Sequence, residues 1–483
     1  MKGKTLKLMT VGAALLAAGS VTAPAQSSEL DQLKEQMKAM QQTMEEMQRK
    51  INELEAQKAA HPPQTSTNLE NTSQSYQTLE KAAVGQNIGN QSPVQDRRSI
   101  NDQQEAAPRL NDLTLDPKYR GFIPIPNTPG LIKFNAKPHL DITSDTRNSG
   151  NPDRFVTATI PVKGSSGYGG PEAFNVNARG SQIRVDVRAP DVPGNFRFYY
   201  QNDFFGSGSG TMPYRLQHLY GQYYNVTAGF TYSCFEDPDA WPDTVDYEGP
   251  NAVIFARRAL VRYMIPLSDQ FQANVGIEAP SSEVDGNSNS TTNSITGNSS
   301  TPDITANLRW ENQKYGHIQL AGVVRDIGAR GTSNGSQSVM GYGLNLADSI
   351  NVFKRDSFQT QLTYGEGIFR YINDDFMNND AAITPSGNLK ALSVWAAMAG
   401  YTHVWTDYLR STATFGYVDI DNEASQGPTA YRKTYYGSFN VVWQIRKRLS
   451  VGFEGLYGKK EDQGGADGDV WRFQTGLVYS LFD

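Results

Sequence analysis

The chain lacks most of the features that announce a function. It has a single cysteine, Cys234, so no intramolecular disulfide framework holds it together. Its five histidines, His61, His139, His218, His317 and His403, are scattered and make no close metal-binding pair, and no metal or other cofactor is expected. Neither a phosphate loop nor a nucleophile elbow occurs, so the chain is not expected to be an enzyme. A net charge of −6 is too mild for a general nucleic-acid binder. Beyond the N-terminal stretch no apolar run reaches about 18 residues, which excludes helical membrane spans. Apolar residues make up only 38% of the chain, yet 24 Tyr and 21 Phe stand beside 44 Gly. That balance suits a membrane barrel, whose alternating strands are hydrophilic on average.

What is present falls into four segments. Lys2, Lys4 and Lys7, the apolar run Leu8 to Gly19 and the small-x-small site Ala23-Pro24-Ala25 predict a signal peptide over residues 1–25. No cysteine adjoins the expected cut, so no lipid anchor is expected there. Residues 26–58 are expected to form a periplasmic coiled-coil helix. Its seam is Leu30, Leu33, Met37, Met40, Met44, Met47, Ile51 and Leu54, a strict alternation of three and four. Glu29 can meet Lys34, and Lys50 can meet Glu55, across a parallel assembly. A solitary amphipathic helix is the alternative, and a methionine-rich seam does not set the number of strands. Residues 59–118 are polar, aperiodic and rich in Gln, Asn, Ser, Thr and Pro, which predicts a flexible linker.

Residues 119–483 read as strand and turn. In "FQANVGIE", Phe271, Ala273, Val275 and Ile277 alternate with Gln272, Asn274 and Glu278; "WRFQTGLVYSL" sets Trp471, Phe473 and Leu477 against Arg472 and Gln474. Such runs number sixteen, near 131–143, 178–188, 194–204, 214–223, 225–232, 251–263, 270–279, 302–311, 316–326, 338–347, 357–366, 391–403, 408–419, 431–445, 448–459 and 469–482. Their connections alternate between long polar loops and tight turns. The expected fold is therefore all-β, a sixteen-stranded antiparallel transmembrane β-barrel preceded by the N-terminal coiled-coil helix. An even strand number leaves both barrel ends, and the helix, in the periplasm. A soluble sandwich or propeller is the competing fold.

The stretch from Arg215 to Tyr263 resembles the DcaP-like outer-membrane porins of Gram-negative bacteria. The likeness rests on His218-Leu219-Tyr220-Gly221, on Tyr232-Ser233 with Phe235 and Asp237, on Pro242-Asp243-Thr244 with Asp246, on Gly249-Pro250, and on Arg257-Arg258 followed by Arg262-Tyr263. The resemblance implies a homotrimer of sixteen-stranded channels in the outer membrane, among its lipid and lipopolysaccharide, bundled by the periplasmic coiled coil. It also implies passive diffusion of small anionic solutes, dicarboxylates being the substrate class.

Strand parity then places Arg184, Arg188, Arg197, Arg258, Arg262, Arg309, Arg325, Arg410 and Arg472 toward a lumen. Guanidinium groups would favour anions and can grip carboxylates with paired hydrogen bonds. Barrel interiors also use arginine structurally, and Asp186 is a natural partner for Arg184 and Arg188. The third long loop, Ser233 to Pro250, carries Glu236, Asp237, Asp239, Asp243, Asp246 and Glu248. As in sixteen-stranded porins, it is expected to fold inward and form a constriction facing the arginines. A calcium site and a solvated charged loop are the rival readings of those acids. The expected function is a porin for anionic solutes; the alternatives are a structural or adhesion barrel with a plugged lumen, and an outer-membrane hydrolase.

Overall fold

The computed structural model describes residues 121–481 apart from 191, 208–210, 286–294, 354 and 375–378, together with Arg49. The expected signal peptide, the coiled-coil seam from Leu30 to Leu54 and the expected linker lie outside the described residues.

The strands are inside out relative to those of a water-soluble protein. In Phe271–Glu278, Phe271, Val275 and Ile277 are exposed, whereas Gln272, Asn274 and Glu278 are buried. In Asp467–Tyr479, Trp471, Phe473, Leu477 and Tyr479 are exposed, while Arg472 and Gln474 are buried. A side chain such as Phe473, 59% exposed, contributes nothing in water; the arrangement is stable where the outer face meets hydrocarbon. Apart from short 3-10 turns, all regular structure among the described residues from 121 onward is strand, and none of their helices is long and apolar enough to cross a membrane.

Twenty strand segments belong to one sheet and three to a small second sheet. The main ladder is antiparallel and follows chain order. Gln182–Ala189 pairs with Phe196–Asp203, and neighbour follows neighbour to Leu449–Asp462 and Asp467–Tyr479. The first long stretch is divided at Pro138, which has no N–H to offer the ladder. Its segment Leu131–Lys137 pairs with Gln182–Ala189, and its segment His139–Asp145 pairs with Asp467–Tyr479. The Tyr479 and Leu481 amides also donate to the Pro138 and Ala136 carbonyls at 3.1 and 2.9 Å. The last strand is thus bonded to the first.

Each of the sixteen expected ranges contains strand, but the segments among the described residues number 23. Breaks account for two of the differences: one at Pro138, the other at residues 178–181, where the Ser181 amide donates to Ala178 O in a turn. A side chain on Gly180 would meet His139 and Tyr247, so the break occurs where an interior loop presses on the wall. Five more segments are short: Ile123–Pro124, Val284–Asp285, Thr296–Gly297, Ala381–Ile383 and Leu389–Ala391.

Two boundaries differ from expectation for clear reasons. Residues 316–326 and 338–347 extend to Gly316–Thr332 and Gly335–Val352, joined through Ser333 and Asn334. Beyond the apolar belt both faces of a hairpin meet polar surroundings, so alternation stops while hydrogen bonding continues. Residues 251–256 are not strand; the strand is Arg257–Pro266. Val253 and Ile254 are 0% exposed and lie in an interior apolar cluster with Phe235, Ile368, Phe369 and Ile372. That cluster fills the sheet's polar-lined side with loops.

The outward Leu344 is 58% exposed in Gly335–Val352. Leu344→Arg is expected to lower stability by about 2–4 kcal/mol if it sits at the hydrocarbon midplane. Urea titration of protein refolded into lipid vesicles measures this, and an unchanged midpoint would contradict the outward placement.

Candidate channel interior

The segment 233–256 leaves the wall at Tyr232 and returns at Arg257, two residues that pair directly across neighbouring strands. None of its residues is exposed. It is held by bonds to widely separated parts of the ladder. Asn307 Nδ2 donates to Cys234 O at 2.8 Å, Asn345 Nδ2 to Phe235 O at 3.2 Å, and Gln319 Nε2 to Glu236 O at 3.0 Å. Farther along, Asn440 Nδ2 donates to Asp243 O at 2.6 Å and Gln474 Nε2 to Val245 O at 3.4 Å. Tyr247 donates its hydroxyl to Asp203 at 2.8 Å and accepts from Gln182 and Gln217 at 3.0 and 2.9 Å. One loop therefore touches the inward faces of strands from both the beginning and the end of the ladder.

Its six acids are fastened rather than displayed. Arg309, 2% exposed, donates to Asp237 at 3.0 Å and Asp239 at 2.7 Å, and also to Glu311 at 3.2 Å. His317 Nε2 lies 2.8 Å from Asp237. Burial opposes charge on Asp237, but His317 and Arg309 overcome it and hold the carboxyl below the usual carboxylate range. Asp243 accepts from Arg410 at 2.5 Å and Glu248 from Arg154 at 2.6 Å. Glu236 accepts from the Ala256 amide at 2.9 Å; burial pushes its carboxyl well above the usual range despite that bond. Asp246 accepts from the Phe155 and Gly249 amides at 3.1 and 3.0 Å, while its own amide donates to Glu454 at 2.6 Å. Burial pushes the Asp246 carboxyl up to about 7, with Arg472 opposing and Glu248 adding to the rise. Among the described residues no three His, Cys, Asp or Glu side chains gather to hold a metal ion.

The nine expected arginines divide accordingly. Arg188 and Arg197 share Asp186, at 2.9 and 3.0 Å. Arg325 meets Asp380 at 3.0 Å and Asp303 at 3.5 Å, and Arg472 grips Asp145 at 2.6 and 2.7 Å. Arg309 and Arg410 anchor the loop, as above. Arg184 donates to Gln182 at 2.5 Å. Arg258 donates to the Arg370 carbonyl at 3.1 Å and lies over the Tyr371 ring at 5.4 Å, and Arg262 is buried, its Nε without an acceptor. Among the described residues neither Arg258 nor Arg262 forms an ion pair.

Sequence parity missed two arginines and a carboxylate. Arg257 stacks on Phe255 at 4.4 Å and on Tyr232 at 5.3 Å, without an ion pair among the described residues; the expected strand 251–263 gives it the parity opposite to Arg258 and Arg262, but the strand begins only at Arg257. Arg370 belongs to the short turn Phe369–Tyr371 and donates to Ser281 O at 2.7 Å, and loop residues have no parity to read. Asp374 accepts from Thr157 at 2.8 Å, Tyr431 at 2.8 Å and Thr434 at 2.6 Å, so it ties a second and a third inward loop to the wall.

An inverted antiparallel sheet with polar side chains inward, crossed by a pinned loop, defines an outer-membrane channel of the porin class. The DcaP outer membrane protein family matches residues 94–479, and the chain belongs to it. Members of this family are channels and not enzymes. Among solved structures, the outer membrane channel DcaP of Acinetobacter baumannii superposes with a TM-score of 0.63 at 18% identity, over 73% of this chain and 97% of that one. The anion-selective porin from Comamonas acidovorans gives 0.48 at 11% identity, over 73% of this chain and 100% of the other. OmpT of Vibrio cholerae gives 0.44 at 9% identity, over 74% and 99%. No curated protein matches the sequence.

Removing Arg309 would strand Asp237 and Asp239 in the interior. Arg309→Met is expected to cost about 3–5 kcal/mol, as for breaking one side of a buried charge network. Arg147→Gln, at a surface pair with Asp469, is expected to cost about 0–1 kcal/mol. Parallel urea titrations compare them, and equal midpoints would refute the anchoring role of Arg309.

Proposed function

We propose that the sheet closes through Pro138 into a sixteen-stranded barrel and conducts small solutes with a preference for anions. Pairing of the last strand with the first supports closure: hydrocarbon offers no partner to an open edge. In this reading the 23 segments are sixteen staves, two of them interrupted, plus five short loop strands.

One observation carries the anion preference. On the strand Arg257–Pro266, Arg257, Arg258 and Arg262 form no ion pair among the described residues, while the acids of the facing loop are occupied elsewhere. Glu236 is held by the Ala256 amide, with burial raising its pKa, and Glu278 uses one oxygen to accept from Ser233, Cys234 and Thr305. The field across the lumen is then set by one positive arc of wall, a mechanism of selection by wall charge. Guanidinium geometry suits carboxylates, so dicarboxylates are the proposed substrate class. Three chains gathered by the seam Leu30 to Leu54, with the helix in the periplasm and segments at 1–25, 26–58 and 59–118, complete the proposal. The buried interior cluster favours a second reading, a plugged barrel with a structural or adhesive role.

Planar-bilayer recording under a KCl gradient tests both. Conductance in steps of three with an anion-selective reversal potential is expected, and Arg258→Ala with Arg262→Ala should shift that potential toward cations. Cation preference in the unaltered protein would overturn the anion assignment. Absence of conductance in folded protein would select the plugged barrel.

A further inference from the structure

The chain enters the wall through a short hairpin that the channel reading leaves unused. Ile123 and Pro124 pair with Ile132 and Leu131, whose other edge is taken by Val187 and Arg188. The hairpin is tightly tied. The Ile125 amide donates to Gly130 O at 2.8 Å, the Thr128 amide donates to Ile125 O at 3.2 Å, and Pro124, Pro126 and Pro129 fix their own φ angles.

This pairing aims one aromatic ring. Ile123, 59% exposed, shares the outer face with Ile132, so alternation sets Phe122 on the face of Lys133, in one row with Asp186 and Tyr199. The Phe122 ring lies 5.6 Å from the Arg188 guanidinium and 5.8 Å from Lys133 Nζ, inside the range of a cation over an aromatic face. One ring therefore touches two cations from neighbouring strands. They stand at the end of the wall, where Arg188 faces Arg197 on the last rung but one before the turn that joins their strands. Asp186 is divided between Arg188 and Arg197, so the ring is a second partner for Arg188. A phenyl face attracts cations without carrying net charge, and thus covers them without cancelling them. Water still reaches this row: the Arg188 and Asp186 side chains keep 17% and 12% exposure, against 2% and 0% for Arg309 and Arg472.

We propose that Phe122 sets selectivity at this mouth of the channel, its ring shielding Arg188 and Lys133 and weakening their hold on passing anions. The inference rests on the reading of the chain as an anion-preferring channel.

The test uses the full chain in planar bilayers under a KCl gradient. Phe122→Ala is expected to raise the anion-to-cation permeability ratio about two-fold, because wall charge is newly open to solutes. Adding Arg188→Gln and Lys133→Gln to that variant should remove the gain. An unchanged or lower ratio in Phe122→Ala, or a gain that survives the loss of both cations, would overturn the assignment. A second measurement needs no current: Phe122→Trp adds one indole to the six native tryptophans, and its added emission should be quenched more by iodide than by caesium. That excess should disappear with Arg188→Gln and Lys133→Gln. Equal quenching by the two ions would refute the placement of the ring. Absence of current in the unaltered protein would refute the channel and with it the selectivity role, while an iodide excess would still establish the contact.

Discussion

A strand immersed in hydrocarbon must find a protein partner for every amide and carbonyl on both of its edges, because no water is there to take their place. The bonds from Tyr479 and Leu481 back to Pro138 and Ala136 meet that demand where the ladder would otherwise end. The inverted burial pattern follows from the same solvent. With the apolar side chains turned outward, the polar ones face one another and have to be satisfied inside.

Satisfying them requires loops. Arg309, Arg325, Arg410 and Arg472 are each buried or half-buried against carboxylates, and for Arg309, Arg325 and Arg410 those partners come wholly or partly from loops. Desolvated charges of this kind are stable only in pairs with further hydrogen bonds, so wall and loop depend on each other. The acidic loop thereby changes its meaning. Asp237, Asp239, Asp243 and Glu248 are paired with arginines, while Arg257, Arg258 and Arg262 form no ion pair among the described residues.

Much of the wall was legible because membrane strands alternate strictly: Phe271–Glu278 and Asp467–Tyr479 match their expected faces residue by residue. The apolar run at Ala252 to Ala256 defeated the same rule. Apolar side chains facing lipid and apolar side chains packed under an inward loop look alike in sequence, and only the fold separates them. Parity also put nine arginines on the inner face without revealing their partners. Asp243 reaches Arg410 across 167 positions of sequence, a distance at which spacing carries no information.

Tyr232 and Arg257 sit opposite each other in the ladder, so the 24 residues between them hang from a single rung. The neighbouring strands keep their register whatever that insertion contains. Wall and insertion can accordingly diverge at different rates: a lineage could shorten, recharge or rebuild that inward loop within one interval of the gene while the register of the outward-facing strands goes on unaltered.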